Sequence, residues 1–352
     1  MLQCPNCHTI NKPAARFCNS CGAPLSGSQT IALGGVVQGR YTVIRLLGQG
    51  GMGAVYQVAD SRIGGKLLAM KEMSDAALTD PQEKAAAIAA FGQEAQLLAR
   101  LDHPNIPKVS DFFTENQKHY IVMEFVPGET LENRLARQAA PCGEADVRNW
   151  ALQLSDVLEY LHRQVPPVIF RDLKPGNIMV TPQGQLKLID FGIARLFKPG
   201  KAGDTHVMGT PGFAPPEQYG KGQTDARSDI YSLGVVLHHL LTCYDPASTP
   251  FRLPPVRQIS RNVSQELEVI VTRASHPAVA QRYQSVAELR RDLYDSAPAS
   301  PMAPIVTPLP AATPTPARRS VPAWVVVVVA IAMLGAGVVI ADRMSGSSPP
   351  TP

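Results

Sequence analysis

The sequence predicts an α+β chain in which strands come first and helices follow. Three observations carry this. Between Tyr41 and Glu124, short alternating runs (YTVIRLLG from Tyr41, then Ala54–Ala59, Lys66–Lys71, Lys108–Phe113 and His119–Glu124) are separated by turns such as Arg62–Gly65, the two-residue period of half-buried strands. From Ala145 the period lengthens: Val147, Trp150, Leu154, Val157, Leu158 and Leu161 form one stripe through His162, as an amphipathic helix requires. The two ends fit neither pattern. Four of the six cysteines fall within the first 21 residues, and nineteen uncharged, apolar residues, Ala323–Ala341, lie near the other end.

A chain of 352 residues favours two or three units. The net charge of +4 is small and evenly spread, and blocks of like charge are absent, so nucleic acid is not an expected partner. Met1–Leu25 is polar and cysteine-rich, unlike a secretory signal peptide.

The first unit, 1–25, holds Cys4-Pro-Asn-Cys7 and Cys18-Asn-Ser-Cys21-Gly22, two CxxC knuckles ten residues apart. Four thiolates so spaced can reach the corners of one tetrahedron, which is how Zn2+ holds a segment too short to bury a core. Two disulfides or a redox CxxC are the alternatives, and the redox reading expects a neighbouring βαβ pattern that is missing. The pattern resembles a short zinc ribbon with a structural zinc on Cys4, Cys7, Cys18 and Cys21. Its only basic residues are Lys12 and Arg16 and its only aromatic is Phe17, too little for nucleic-acid binding. Residues 26–40 are small and polar and read as a linker.

Gly48-Gln-Gly50-Gly-Met-Gly53-Ala-Val55 follows a strand and runs into another strand. A dinucleotide fold needs a helix there, so the glycines cap a hairpin whose backbone can approach a triphosphate. Asp80-Pro81 opens a helix with an apolar stripe of Ile88, Phe91, Ala95 and Leu98, ending near Leu101. Glu94 lies on that stripe and needs a buried partner, for which Lys71 is the candidate.

Ile169–Val180, IFRDLKPGNIMV, sets Asp172, Lys174 and Asn177 between two apolar pieces, and Leu186–Gly192 reads as a strand ending in Asp190-Phe191-Gly192. In this order the motifs resemble those of bacterial eukaryotic-like (Hanks-type) serine/threonine protein kinases, over 41–295. The resemblance implies a bilobal protein kinase fold, with a small, mainly β N-lobe and a large, mainly α C-lobe. It implies ATP and Mg2+ (or Mn2+) as cofactors and proteins as substrates. Leu47, Gly48, Gly50, Gly53, Val55 and Ala69 would enclose the nucleotide, and Lys71, paired with Glu94, would contact its phosphates. Met123 would be the gatekeeper, with Glu124 and Val126 offering backbone groups to adenine. Asp172 would orient the attacking hydroxyl, Lys174 would reach the phosphate, and Asn177 and Asp190 would hold the magnesium.

Two positions depart from the family pattern: Phe170 replaces the usual histidine, and Pro215-Pro216-Glu217 replaces Ala-Pro-Glu. Phe170 can pack on Phe191 but loses a hydrogen bond, a loss of about 1 kcal/mol. Lys174 and Thr210 fit a Ser/Thr kinase, with Thr210 bonded to the catalytic aspartate. Thr205 is the candidate phosphosite, pairing with Arg171. Asp229 would brace the catalytic loop and Arg282 would pair with Glu217. An ATP-binding pseudokinase scaffold that presents the ribbon is the alternative, disfavoured because Lys71, Asp172 and Asp190 are all present. Cys142 and Cys243 lack partners at metal spacing and read as packing residues.

Residues 296–322 contain eight prolines, a semi-rigid spacer of up to about 80 Å. The run 323–341 is close to the ~20 residues a transmembrane helix needs, with Trp324 at its edge and Arg318 and Arg319 before it. Since ATP and reduced thiols belong to the cytoplasm, the expectation is a single-pass protein of the cell membrane, kinase and ribbon cytoplasmic, with a short tail, 342–352, outside. Tethering in the membrane plane would favour self-association and autophosphorylation in trans.

Overall fold

A computed structural model describes residues 2–3, 9–11, 31–50, 53–73, 80–191, 195–196, 210–220 and 223–296. The chain divides into two units, 1–297 and 298–352, and the described residues all belong to the first. The expectations for Cys4, Cys7, Cys18, Cys21, Thr205 and the span 323–341 lie outside the described residues. Among the described residues no helix is long and apolar enough to cross a membrane, and no group of three or more His, Cys, Asp or Glu side chains is gathered for a metal.

At the start of the chain β1 (Leu2–Gln3) pairs antiparallel with β2 (Ile10–Asn11), Leu2 opposite Asn11. In sequence, Cys4 and Cys7 fall between these two strands. Next come β3 (Val36–Val37), β4 (Tyr41–Gly50), β5 (Gly53–Asp60) and β6 (Lys66–Met73). Then α1 (Pro81–Arg100) precedes β7 (Val109–Glu115) and β8 (Lys118–Glu124). The strands form one antiparallel sheet in the order β3-β4-β5-β6-β8-β7. Strand alternation gives it two faces. Tyr56, Val58, Leu68, Met70, Tyr120 and Val122 pack on one. Met73 and Ile121 face the other way, onto Phe91 and Ala95 of α1. That helix starts where the Asp80 carboxylate accepts from the Gln82 N–H, with Pro81 in its first turn.

The stretch read as a linker differs from expectation over 31–40. Val36 pairs with Thr42, and the Gly34 N–H donates to Val43 O at 2.8 Å. The Ile31 N–H donates to the Tyr56 hydroxyl at 3.2 Å, and the Gln38 N–H to the Glu115 carboxylate at 3.0 Å. This strap carries only a two-residue strand, too short to show any periodicity in sequence.

The large lobe follows with β9 (Glu129–Thr130), α2 (Leu131–Gln138), α3 (Glu144–His162), β10 (Val168–Ile169), β11 (Ile178–Val180), β12 (Leu186–Leu188) and β13 (Arg195–Leu196). It closes with α4 (Pro216–Tyr219), α5 (Ala226–Thr242), α6 (Val256–Ile259), α7 (Gln265–Ala274) and α8 (Val286–Asp295). The stripe on α3 is wholly buried, Val147, Leu154, Val157, Leu158 and Leu161 all having no exposed surface. Helix α5 is apolar nearly all round because it runs through the core, where Leu233, Val236, Leu237 and Leu240 join the α3 stripe. A reciprocal capping box of Asp225 and Ser228 fixes its start.

Candidate active site

The loop from β10 to β11 is held by one buried carboxylate. Asp229, fully buried on α5, accepts the Phe170 N–H at 2.9 Å and the Arg171 N–H at 2.8 Å, and the His162 ring lies 2.8 Å from it. From the other side the Gln218 amide donates to Arg171 O at 3.1 Å. These bonds hold Arg171, itself buried, at a left-handed φ of 72°, a conformation of order 1–3 kcal/mol for a non-glycine residue. The loop is thereby preorganised for the residues that follow.

Asp172 accepts from the Thr210 hydroxyl at 2.8 Å through one oxygen and from the Asn177 amide at 2.9 Å through the other. Lys174 Nζ lies 3.1 Å from Asp172 and donates to Thr210 at 2.9 Å. Three sequence-predicted residues thus meet at the Asp172 carboxylate. Behind them Phe170 and Phe191, both buried, stack edge to face with centroids 5.0 Å apart, so aromatic packing stands where the family's histidine would.

Across the cleft, Lys71 Nζ donates to both Glu94 oxygens at 2.8 and 3.0 Å and to Asp190 Oδ1 at 2.9 Å. Burial alone would lower the lysine, but the charges of Glu94 and then Asp190 outweigh it and hold its ammonium above the usual range. Burial pushes the Glu94 carboxyl up, and Lys71 pulls it partly back. The helix-stripe position of Glu94 is explained by this pair.

Pairing brings the remaining nucleotide candidates together. Val55 lies opposite Lys71 and Ala69 opposite Met123, which sets Val55, Ala69, Lys71 and Met123 on one sheet face. Gly48 faces Val55 and Gly50 faces Gly53 at the hairpin end, with Leu47 in the irregularity between Leu46 and Gly48. Glu124 ends β8 and Val126 is buried just beyond it. Gly128 then turns the chain at φ 138°, where a Cβ would lie 2.1 Å from Val180 O, so the turn closes directly onto β11.

Glu217 and Arg282 pair at 2.7 and 2.9 Å, with the Ser228 hydroxyl 2.8 Å from Glu217. The Arg282 guanidinium is fully buried, donates to three backbone carbonyls and lies 4.8 Å from the Tyr231 ring centre. This pair anchors the 210–218 segment that carries Thr210. Sequence reasoning missed His162, Gln218 and Lys187, single polar residues whose partners are remote in sequence; no local pattern marks them.

A strand-built small lobe over a helical large lobe, with a lysine–glutamate pair on one side of the cleft and an aspartate loop on the other, defines a protein kinase fold. Comparison with known proteins agrees. The protein kinase domain family matches residues 41–300 and the zinc-ribbon domain family residues 3–25; the chain belongs to the protein kinase domain family. It is 33% identical over 278 residues to a probable serine/threonine-protein kinase PknB of Lactococcus lactis, covering 76% of this chain and 43% of that protein. It is 31% identical over 273 residues to serine/threonine-protein kinase PrkC of Bacillus subtilis, covering 74% and 41%. The match therefore spans less than half of either relative. Among solved structures, the PknI kinase domain of Mycobacterium tuberculosis superposes with a TM-score of 0.60 at 27% identity, covering 76% of this chain and 99% of that one.

Proposed function

We propose that this protein is a membrane-anchored serine/threonine kinase that transfers the γ-phosphoryl group of ATP to hydroxyls on proteins, itself included. The observation that carries the reading is the bond from Thr210 and Lys174 to Asp172, opposite Lys71 bridged between Glu94 and Asp190. Phosphoryl transfer asks the protein for placement and neutralised charge more than for covalent chemistry.

The residues present suit the groups required. Asp190 and Asn177 offer hard carboxylate and carboxamide oxygens, the donors magnesium or manganese takes, and the metal would draw charge from the phosphates. Lys71 would hold the α and β phosphates. Asp172, kept in place by Asn177 and Thr210, would accept the proton of the substrate hydroxyl, and Lys174 would neutralise the charge moving across. For zinc, Cys4, Cys7, Cys18 and Cys21 would offer four soft thiolates, the first two lying between β1 and β2 in sequence, a donor set suited to a closed structural site.

In this reading 1–25 is the ribbon, 41–295 the kinase, 296–322 a spacer, 323–341 the membrane span and 342–352 an outside tail. A phosphate on Thr205, placed there by a second copy, would pair with Arg171 and order the activation segment. One experiment tests the whole. Full-length chain recovered from the membrane fraction is incubated with Mg-ATP and a generic protein acceptor, and phosphosites are mapped beside Asp172→Asn. Phosphate on Ser and Thr, Thr205 among them, and at least a hundredfold less in the variant is the expected result. Equal labelling of both proteins, or a chain found only in the soluble fraction, overturns the corresponding part.

A further inference from the structure

Lys187 occupies a position where a lysine is unexpected. It is the middle residue of β12, and all three residues of that strand are buried. Leu186 and Leu188 enter the large-lobe core, so alternation turns Lys187 the other way. Its ammonium, on a side chain only 10% exposed, meets the Glu124 carboxylate at 2.8 Å. A buried ammonium must be paired or it penalises the fold. The location of its partner matters more than the burial. Glu124 ends β8 of the six-stranded sheet, at the point where the chain passes from the small lobe to the large.

The backbone on both sides is fixed as well. The Glu124 N–H donates to Lys108 O at 2.8 Å, and the Lys108 N–H lies 3.4 Å from the Glu124 carboxylate. On β12 the Leu188 N–H donates to Asn105 O at 2.8 Å, and the Asn105 amide donates to Leu186 O at 2.7 Å. Three residues beyond Lys187, Asp190 bonds Lys71. One short stretch of the large lobe is therefore pinned to the small lobe twice, at two points about 10 Å apart along the chain.

We infer that Lys187 and Glu124 form a positioning pair that fixes the connecting segment against β12 and so sets nucleotide affinity. The inference rests on the kinase reading, in which the backbone at Glu124 and Val126 receives the base while Lys71 and Asp190 serve the phosphates. Lys187 touches neither. It ties the base end of the site to the strand that carries the phosphate end, so that both are presented in one geometry. Loss of the tie should weaken binding of the nucleotide without slowing a transfer that uses Asp172.

The test compares the full chain with Lys187→Met, Glu124→Gln and the swap Lys187→Glu/Glu124→Lys. Lys187→Met should raise KM for ATP about tenfold, equivalent to about 1.4 kcal/mol, with kcat held within about twofold; Glu124→Gln should raise KM to a similar degree. The swap should recover most of that affinity. Amide hydrogen exchange over residues 123–128, measured without nucleotide, should be faster in both single variants and slower again in the swap. Unchanged exchange in a folded Lys187→Met protein overturns the inference, as does faster exchange with KM unmoved. A fall in kcat at unchanged KM also overturns it. Should wild-type chain bind no nucleotide at all, the kinase reading fails, while the exchange data still decide whether the pair braces the segment.

Discussion

Replacing Glu217 by glutamine leaves the shape of the site intact and removes one charge. The Arg282 guanidinium opposite has no exposed surface, whereas the Glu217 side chain is 14% exposed. Breaking one half of a buried ion pair typically destabilises by about 3–5 kcal/mol, because the other charge stays behind unpaired. Three carbonyl acceptors and the Tyr231 ring still serve the guanidinium, which favours the low end, about 3 kcal/mol. For a domain of this size that lowers Tm by about 6–12 °C. Arg282→Met should cost a similar amount, leaving Glu217, among the described residues, with the Ser228 hydroxyl as its side-chain hydrogen-bond partner. The double variant strands neither charge, so it should fall short of the sum by about 2 kcal/mol or more. Urea unfolding of the four proteins, read as midpoints at constant slope, gives the cycle. Additivity within about 0.5 kcal/mol would refute the claim that the two charges act as one anchor.

Two further outcomes follow from the same chemistry. His238 is buried on α5 beside Pro254 O, 2.8 Å away; burial lowers its pKa, the carbonyl opposing. The unfolded chain then binds the extra proton below about pH 6.5, so its contribution to stability is full above that pH and is lost as pH falls; Tm measured from pH 7.5 to 5 should drop less steeply for His238→Gln, and parallel curves would exclude the residue. Purified chain should carry one zinc, lost with Cys4→Ser or Cys18→Ser while the kinase segment still melts cooperatively; native cysteines found fully disulfide-bonded would reject the zinc assignment.

What could be read from sequence was whatever is local or periodic. The stripe on α1 placed Glu94 on the buried side before any partner was visible, and the spacing of Asp172, Lys174 and Asn177 survives folding because the three share one loop. Thr210 was expected at Asp172 through family resemblance alone, and its 2.8 Å bond joins residues 38 apart. Lys187 gave no sign, since LKLID reads as an ordinary strand and its partner stands 63 residues earlier. The 31–40 strap escapes a sequence reading for another reason: its two strand residues and its glycines look like spacer until β4 is present to pair with them.

That strap also limits what precedes it. If the ribbon ends at Leu25, five residues, 26–30, separate it from the Ile31 amide bonded to Tyr56. Fully extended, five residues reach about 18 Å, so a ribbon ending there would be tethered within about that distance of Ile31. A partner captured by such a ribbon would meet the small lobe at millimolar effective concentration, and a pull on it would load the Ile31–Tyr56 bond before the β3–β4 pairing.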